Sequence, residues 1–355
     1  MIKNKILLVG HCPPPITGQT EAFKLLKGSL TEARIPYSVL DIASHLENRN
    51  VGKFSLFRFL EILLAVFKLI IFFFDNQLKT IYLSIGISLF GFFRDMLIIW
   101  LAKVRGLKIV IQLHGGGYKD FYESQNNNIK FFIRSTINSV DKIIILSLSL
   151  ANEFEFLPEQ SKEKITIIHN TANVKSQFSK LEKDFSSNPF RVLYISNLIS
   201  SKGYLDLINS FALLEDLDIE LTLCGKFIQI GEEKNLTEEE LMIRINSANS
   251  KKKKIKFLGV VSGDYKENIL SQSQIFVLPT YYKYEGQPIA IIEAMAFGLP
   301  IITTNYRSMK DMIIDNENGF LVDPKSPEHI AEKIRFLYKN RDICMQMSKK
   351  KLRVI

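Results

Sequence analysis

Residues 279–304 read PTYYKYEGQPIAIIEAMAFGLPIITT, and the punctuation of this stretch decides the fold. The apolar run IFVLP closes a strand, and a loop carrying Glu285, Gly286 and Gln287 follows. Pro288 then takes the first helical position, where its missing N–H costs nothing. The helix is expected to run through Phe297, and the glycine and proline at 298–300 end it and start the next strand. Glu285, just before the helix, and Glu293, eight positions on, fall on roughly the same side of it. Backbone N–H groups near Gly286 and Gln287, at the positive end of the helix dipole, suit a diphosphate. One carboxylate is left near a reacting group, and the other can accept hydrogen bonds from a diol such as ribose.

Working outward, the strand–helix–strand rhythm repeats. Short apolar runs rich in β-branched residues occur at 5–10, 37–41, 80–84, 108–113, 142–147 and 165–168. Six more occur at 191–196, 220–224, 255–259, 275–278, 300–303 and 319–322. Most are separated by enough chain for a crossover helix, which is the pattern of parallel sheets. The polar stretch LEKDFSSNP, 181–189, is the natural linker. The expected architecture is therefore α/β: a doubly wound Rossmann-like domain over 1–180, the linker, and a second over 190–355, facing one another across a cleft. Ligands of such sheets bind outside the carboxyl ends of the strands, so motifs should sit on the strand-to-helix loops.

Composition excludes several classes. The 355 residues fit two domains, and 46% hydrophobic with 23% charged residues rules out long disorder and collagen. The balance of 46 Lys and Arg against 37 Asp and Glu, +9, could favour nucleic acid, anionic lipid or phosphorylated small molecules. No aromatic stacking motif or basic recognition helix accompanies it, so nucleic acid is not an expected partner. Much of the excess lies in Lys251, Lys252, Lys253, Lys254 and Lys256, and again in 349–353, runs that usually mark solvated faces or helix ends. Cys12, Cys224 and Cys344 are far apart and form no C-x-x-C, so neither a zinc site nor a disulfide framework is expected, and a reducing cytoplasm is the expected home. The N-terminus reads as a first strand, not a signal peptide. In FSLFRFLEILLAVFKLIIFFF, 54–74, Arg58, Glu61 and Lys68 interrupt the apolar run, so no spanning helix is expected. Helices packed on a sheet, with apolar surface left for a membrane interface, are expected instead; two ordinary buried helices are the alternative.

Two loops of the first half carry chemistry. HCPPPITGQT, 11–20, lacks the G-x-G-x-x-G of a dinucleotide site, having only Gly10 and Gly18. Its prolines still deliver residues 17–20 to a helix start whose free N–H groups attract anions or hydroxyls; a plain strand-to-helix turn is the alternative. After the strand KIVIQL comes His114 followed by Gly115, Gly116 and Gly117, which let a ligand approach the backbone and expose the histidine. His11 also lies at a strand end, whereas His45, His169 and His329 lack comparable glycine context.

With these residues in hand, the chain resembles the family 4 retaining glycosyltransferases of GT-B fold. EGQPIAIIEAMAFGLPIITT followed by NENGFLV, 316–322, is similar to their donor-binding signature. HCPPPITGQT and LHGGGYKDFYE are similar to their acceptor-side glycine loop and histidine loop, and SNLISSKGYLDLI, 196–208, to their phosphate-binding loop. The resemblance implies that Glu285 contacts the transferred sugar, Glu293 the ribose hydroxyls and Lys202 the pyrophosphate. His114 would lie beside the anomeric centre. Phe257, Leu258, Gly259 and Val260 would line the base, with Asn197, Gly286, Gln287 and Pro288 completing the donor site. Pro15, Thr17, Gly18 and Gln19 would form the acceptor-side loop. Two departures stand out: Ser196-Asn197 replaces the Gly-Arg of many members, removing one of two phosphate-binding cations, and the closing segment after the last helix is short.

The reading is a retaining glycosyltransferase that moves a sugar from a nucleotide-diphosphate sugar to a saccharide or lipid-linked acceptor, in cell-surface polysaccharide biosynthesis, at the inner membrane face. It needs no metal and no cofactor, because Lys202 and a helix N-terminus can stabilise the leaving diphosphate. The alternatives are a nucleotide-sugar epimerase of the same fold and an inactive nucleotide-sugar-binding subunit.

Overall fold

The computed structural model describes residues 4–14, 17–42, 56–172, 183–228 and 236–350, with the backbone alone at 56–59 and 61. The chain divides into two compact units, Met1–Asn170 and Thr171–Ile355. Each holds a six-stranded sheet in which every pairing is parallel.

The first sheet comprises β1 (Lys5–Gly10), β2 (Tyr37–Asp41), β3 (Leu78–Ser84), β4 (Lys108–Gln112), β5 (Lys142–Ile145) and β6 (Ile165–Ile167), in the order β2-β1-β3-β4-β5-β6. Leu7, Ile81, Ile111 and Ile143 are wholly buried along its middle, as expected where helices cover both faces. Among those helices are α1 (Gly18–Glu32), α2 (Leu56–Phe73), α3 (Leu89–Val104), α4 (Tyr118–Glu123) and α5 (Asn127–Asn138). No helix among the described residues is long and apolar enough to cross a membrane.

The second sheet comprises β7 (Phe190–Ile195), β8 (Ile219–Cys224), β9 (Lys253–Phe257), β10 (Ile275–Leu278), β11 (Ile301–Thr304) and β12 (Gly319–Val322), in the order β12-β11-β10-β7-β8-β9. Its core centres on Leu193, Leu221, Val277 and Ile302. Both sheets reverse direction beside their first strand, so the switch points lie between β1 and β3 and between β7 and β10. Loops leaving the carboxyl ends of those four strands are where ligands of such sheets bind.

The polar and basic runs each have a defined place. The described part of 181–189 is packed on the second unit: the Lys183 ammonium donates to the carbonyls of Leu270, Ser271 and Ser273 at the end of helix Gly263–Gln272, and Phe185 is buried. A cation suits those unpaired terminal carbonyls. The lysine run is not a uniformly solvated face. Lys253 opens β9 with its side chain 3% exposed and its ammonium 4.0 Å from Glu215, its aliphatic stem serving as core.

Candidate functional site

In the second unit the loop after β7 is wedged between its neighbours. A Cβ on Gly203 (φ +77°) would stand 2.2 Å from the Pro279 carbonyl oxygen, and one on Gly225 would stand 1.8 Å from that of Ser196. Only glycine permits these approaches. Tyr281 N–H donates to the Ser201 carbonyl at 2.8 Å, tying the β7 loop to the β10 loop across the switch point. The result is an ion pair of Lys202 Nζ with Glu285 Oε2 at 2.6 Å. Thr280 Oγ1 donates to the same oxygen at 2.9 Å, and the Lys202 ammonium lies 5.0 Å from the Tyr282 ring centroid.

The pair is nearly out of water, with side-chain exposures of 13% and 7%. Burying an ion pair stabilises a fold weakly at best, so a charged pair at a switch point is better explained by chemistry than by stability. Both bonds to Glu285 fall on Oε2, which leaves Oε1 without a partner among the described residues. Lys202 also retains donors, since an ammonium has three.

Glu293 lies on helix Ile289–Ala296 and pairs with Lys266 of helix Gly263–Gln272, Nζ to Oε1 at 2.6 Å. The two glutamates are thus held by different lysines from different elements. Pro288 is the residue before the helix (φ −64°, ψ 115°), not its first turn, and Phe297 caps the other end. The shift follows from ψ: an extended Pro288 turns the chain into the helix one residue later. Gly286 and Gln287 are buried, with the Gly286 carbonyl accepting from the Ser308 hydroxyl. Asn197 is half-buried, and its carbonyl accepts from Ile199 N–H. Gly259 (φ +66°) accepts at its carbonyl from Gly225 N–H, and Val260 beside it is 68% exposed. Phe257 meets Phe227 edge-on at 5.7 Å.

The first unit gathers a different set. Thr17 caps α1: its hydroxyl accepts from Thr20 N–H while Thr20 Oγ1 accepts from Thr17 N–H, a reciprocal capping box. One of the N–H groups expected to await a ligand is therefore already used. Gly18 and Gln19 open the helix, and Gln19 Nε2 donates to Ser84 Oγ at 2.7 Å while lying 3.4 Å from His11 Nδ1. Pro15 lies outside the described residues. His114, expected to be exposed, is half-buried; its Nε2 is 3.4 Å from the Tyr82 hydroxyl, and its shielded Nδ1 has no hydrogen-bond partner among the described residues. Tyr82 in turn donates to Gln112 Oε1 at 2.5 Å.

Burial, with the Arg94 guanidinium second and Asp41 opposing, pushes His11 down to about 4. Burial, with His11 second, pushes His114 down to about 4. Arg94 is itself held by the buried Asp95, which also accepts from Gly86 N–H. The carboxyl-end loops of the first sheet therefore present neutral imidazoles, an amide, a hydroxyl and a phenol, together with the Arg94–Asp95 pair.

Sequence reading did not single out Lys266, Thr280, Tyr82, Ser84 or Gln112. Tyr82 and Ser84 lie at the carboxyl end of β3, beside the switch point, and that placement was the signal available for them. Lys266 carries no motif; it reaches Glu293 from a helix 27 positions away in the chain.

A chain of two parallel six-stranded α/β units with charged and polar loops at both switch points has the GT-B fold of sugar-transferring enzymes. The family model described as glycosyl transferases group 1 matches residues 175–353, half of the chain. The chain belongs to that family and is a glycosyltransferase. It is 26% identical to an uncharacterized glycosyltransferase of Methanocaldococcus jannaschii over 97% of this chain and 91% of that one. It is 25% identical to the capsular polysaccharide biosynthesis glycosyltransferase CapM of Staphylococcus aureus over 59% of this chain and 50% of that one. Among solved structures, Anabaena HepE in complex with UDP superposes with a TM-score of 0.67 at 17% identity, covering 97% of this chain and 92% of that one.

Proposed function

We propose that the chain is a retaining glycosyltransferase that takes a nucleoside-diphosphate sugar and glycosylates a hydroxyl of a saccharide or lipid-linked acceptor in cell-surface polysaccharide synthesis. The observation that carries this reading is the Lys202–Glu285 pair at the β7/β10 switch point, with Glu285 Oε1 left to accept from a sugar hydroxyl. The relatedness to a capsular polysaccharide enzyme supports the pathway class. HepE, which is solved with UDP, makes uridine nucleotides the first donors to test.

In this reading Lys202 meets the departing diphosphate as negative charge builds on it, in a pocket where a preorganised cation acts with little screening. Gly286 and Gln287 add backbone N–H groups ahead of helix Ile289–Ala296. Glu293 Oε2 accepts from the ribose diol while Lys266 holds Oε1. His114 and Gln19 serve the acceptor side as neutral groups. The acceptor oxygen bonds to the anomeric carbon on the face the diphosphate leaves. The sugar–phosphate C–O bond breaks with its electron pair on the diphosphate, and the acceptor proton passes to that phosphate oxygen. Configuration is retained without a protein nucleophile.

The test is donor turnover. The full chain is incubated with a panel of nucleotide sugars, with and without saccharide acceptors, and product configuration is read by NMR. Nucleoside-diphosphate release with a retained glycosidic product is expected, and the accepted donor at 100 times its dissociation constant should stabilise the chain by about 2.7 kcal/mol. An altered sugar nucleotide formed without acceptor makes the protein an epimerase. Donor binding with no turnover across acceptors makes it a binding subunit.

A further inference from the structure

Helix α2 is apolar on both of its sides. Ala65 and Leu69 face the core, whereas Leu63, Leu64, Phe67, Ile70, Ile71 and Phe74 are exposed, Phe67 at 63% and Phe74 at 81%. Their spacing of three and four residues puts them on one stripe, from Leu63 to Phe74 just past the helix end, about 17 Å long at 1.5 Å per residue. A solvent-facing helix normally turns polar residues outward, and a contiguous exposed apolar face marks an interaction surface. The stripe continues across neighbouring helices, since α2 packs on α3 and α3 on α5. There Trp100 and Phe132 are partly exposed with ring centroids 6.2 Å apart, and Val104 is 88% exposed.

Charge selects the occupant. Among the described residues of these three helices the exposed charged side chains are Lys68, Lys103 and Arg134, all cations. The carboxylate of Asp95 is buried against Arg94, and in the sequence Arg58 and Glu61 offset one another. Arg105, just past α3, donates to the Phe73 carbonyl at 3.2 Å, which sets a guanidinium beside Phe74 at the rim. A second copy of this face would bring cations against cations. An anionic bilayer surface offers apolar depth for the stripe and phosphates for the rim, with Trp100 suited to the headgroup level.

We propose that the α2–α3–α5 face of the first unit docks on an anionic lipid surface, with α2 lying in the plane of the interface. The proposal holds whichever sugar is transferred. The experiment is flotation of the full chain with phosphatidylcholine vesicles, with and without about one-third phosphatidylglycerol, at low and high salt. Recovery should be at least tenfold higher on the anionic vesicles and should fall as salt screens it. Leu64→Gln with Phe67→Gln and Ile71→Gln, all outward-facing, should abolish flotation while leaving the melting temperature and donor turnover in solution unchanged. Lys68→Glu with Lys103→Glu should weaken partitioning on the order of tenfold. Equal recovery on neutral and anionic vesicles, or none on either, overturns the proposal. So does a dimer in light scattering that the triple variant converts to monomer while vesicles stay bare, which would assign the face to a second copy.

Discussion

The two switch points differ in the kind of polar group they hold. Between β7 and β10 the side chains are ions in pairs, Lys202 with Glu285 and, nearby, Lys266 with Glu293. Between β1 and β3 uncharged groups predominate: His11, held down to about 4, with Gln19, Ser84 and Tyr82, joined by His114, also at about 4, from the β4 loop, while the charges of Arg94 and Asp95 are paired with each other. A diphosphate leaving group develops full charge and needs fixed counter-charge, whereas an attacking hydroxyl is best placed by neutral donors and acceptors that will not trap it. The contrast fits a donor on the second unit and an acceptor on the first, and it can be broken experimentally.

The largest effect is expected at Lys202. With Asn197 contributing no charge, Lys202→Ala should lower turnover by on the order of 100 to 1,000-fold, towards the upper end. Asn197→Arg should tighten donor binding and partly rescue that variant. If Lys202→Ala keeps most of the activity in steady-state assays, the loop from Ser196 to Gly203 is not where the diphosphate sits. Glu285→Gln should depress turnover far more than donor affinity. Because it also strips Lys202 of its partner, the double variant with Lys202→Ala should cost less than the two single losses combined. Additive losses in that cycle would separate the two roles.

Glu293→Ala should act on binding instead, weakening the nucleotide by roughly 1 to 3 kcal/mol in calorimetric titration with turnover of bound donor little changed. The reverse division between Glu285 and Glu293 would exchange their assignments.

The two histidines of the first unit make a pH prediction. Both histidines have folded values below that of a free imidazole, about 6.5. Between about 6.5 and 4 the unfolded chain therefore binds more protons than the folded one. The associated stability is fully present above about 6.5 and is lost as pH falls through that window. Ring-proton NMR titration with urea unfolding at several pH values checks it, and a titration of either ring near 6.5 would dissolve the contrast between the two halves. Smallest of all should be Tyr82→Phe, which removes the hydroxyl between Gln112 and His114 and should cost about 1 kcal/mol of stability with modest loss of turnover.

Much of this was legible in the chain. All twelve strands occur within about two residues of where apolar runs placed them, because parallel strands buried on both faces must be short and apolar. Lys253 escaped that logic, since a lysine at a strand start can bury its stem while the pattern records only its charge. Gly203, within the loop segment 196–208, Glu285 in its loop and Glu293 on the following helix were visible as residue types, whereas the close approach of Gly225 to Ser196 was not. The apolar excess of 54–74 was visible too; that its outer face stays uncovered became visible only once α3 and α5 were in place.

Local sequence determined which segments are strands, where helices start and which loops can carry ligands, because propensity, capping and periodicity act within a few residues. Tertiary structure decided which side chains meet. Lys202 and Glu285 are 83 positions apart, Tyr82 and His114 are 32 apart, and Lys266 and Glu293 are 27 apart. The first pair meets because β7 and β10, distant in the chain, lie side by side at a switch point, the second because β3 and β4 pair in parallel, and the third because a lysine of one helix reaches a glutamate of another. Strand order and helix packing follow from burying the core of each unit, and no local pattern encodes either.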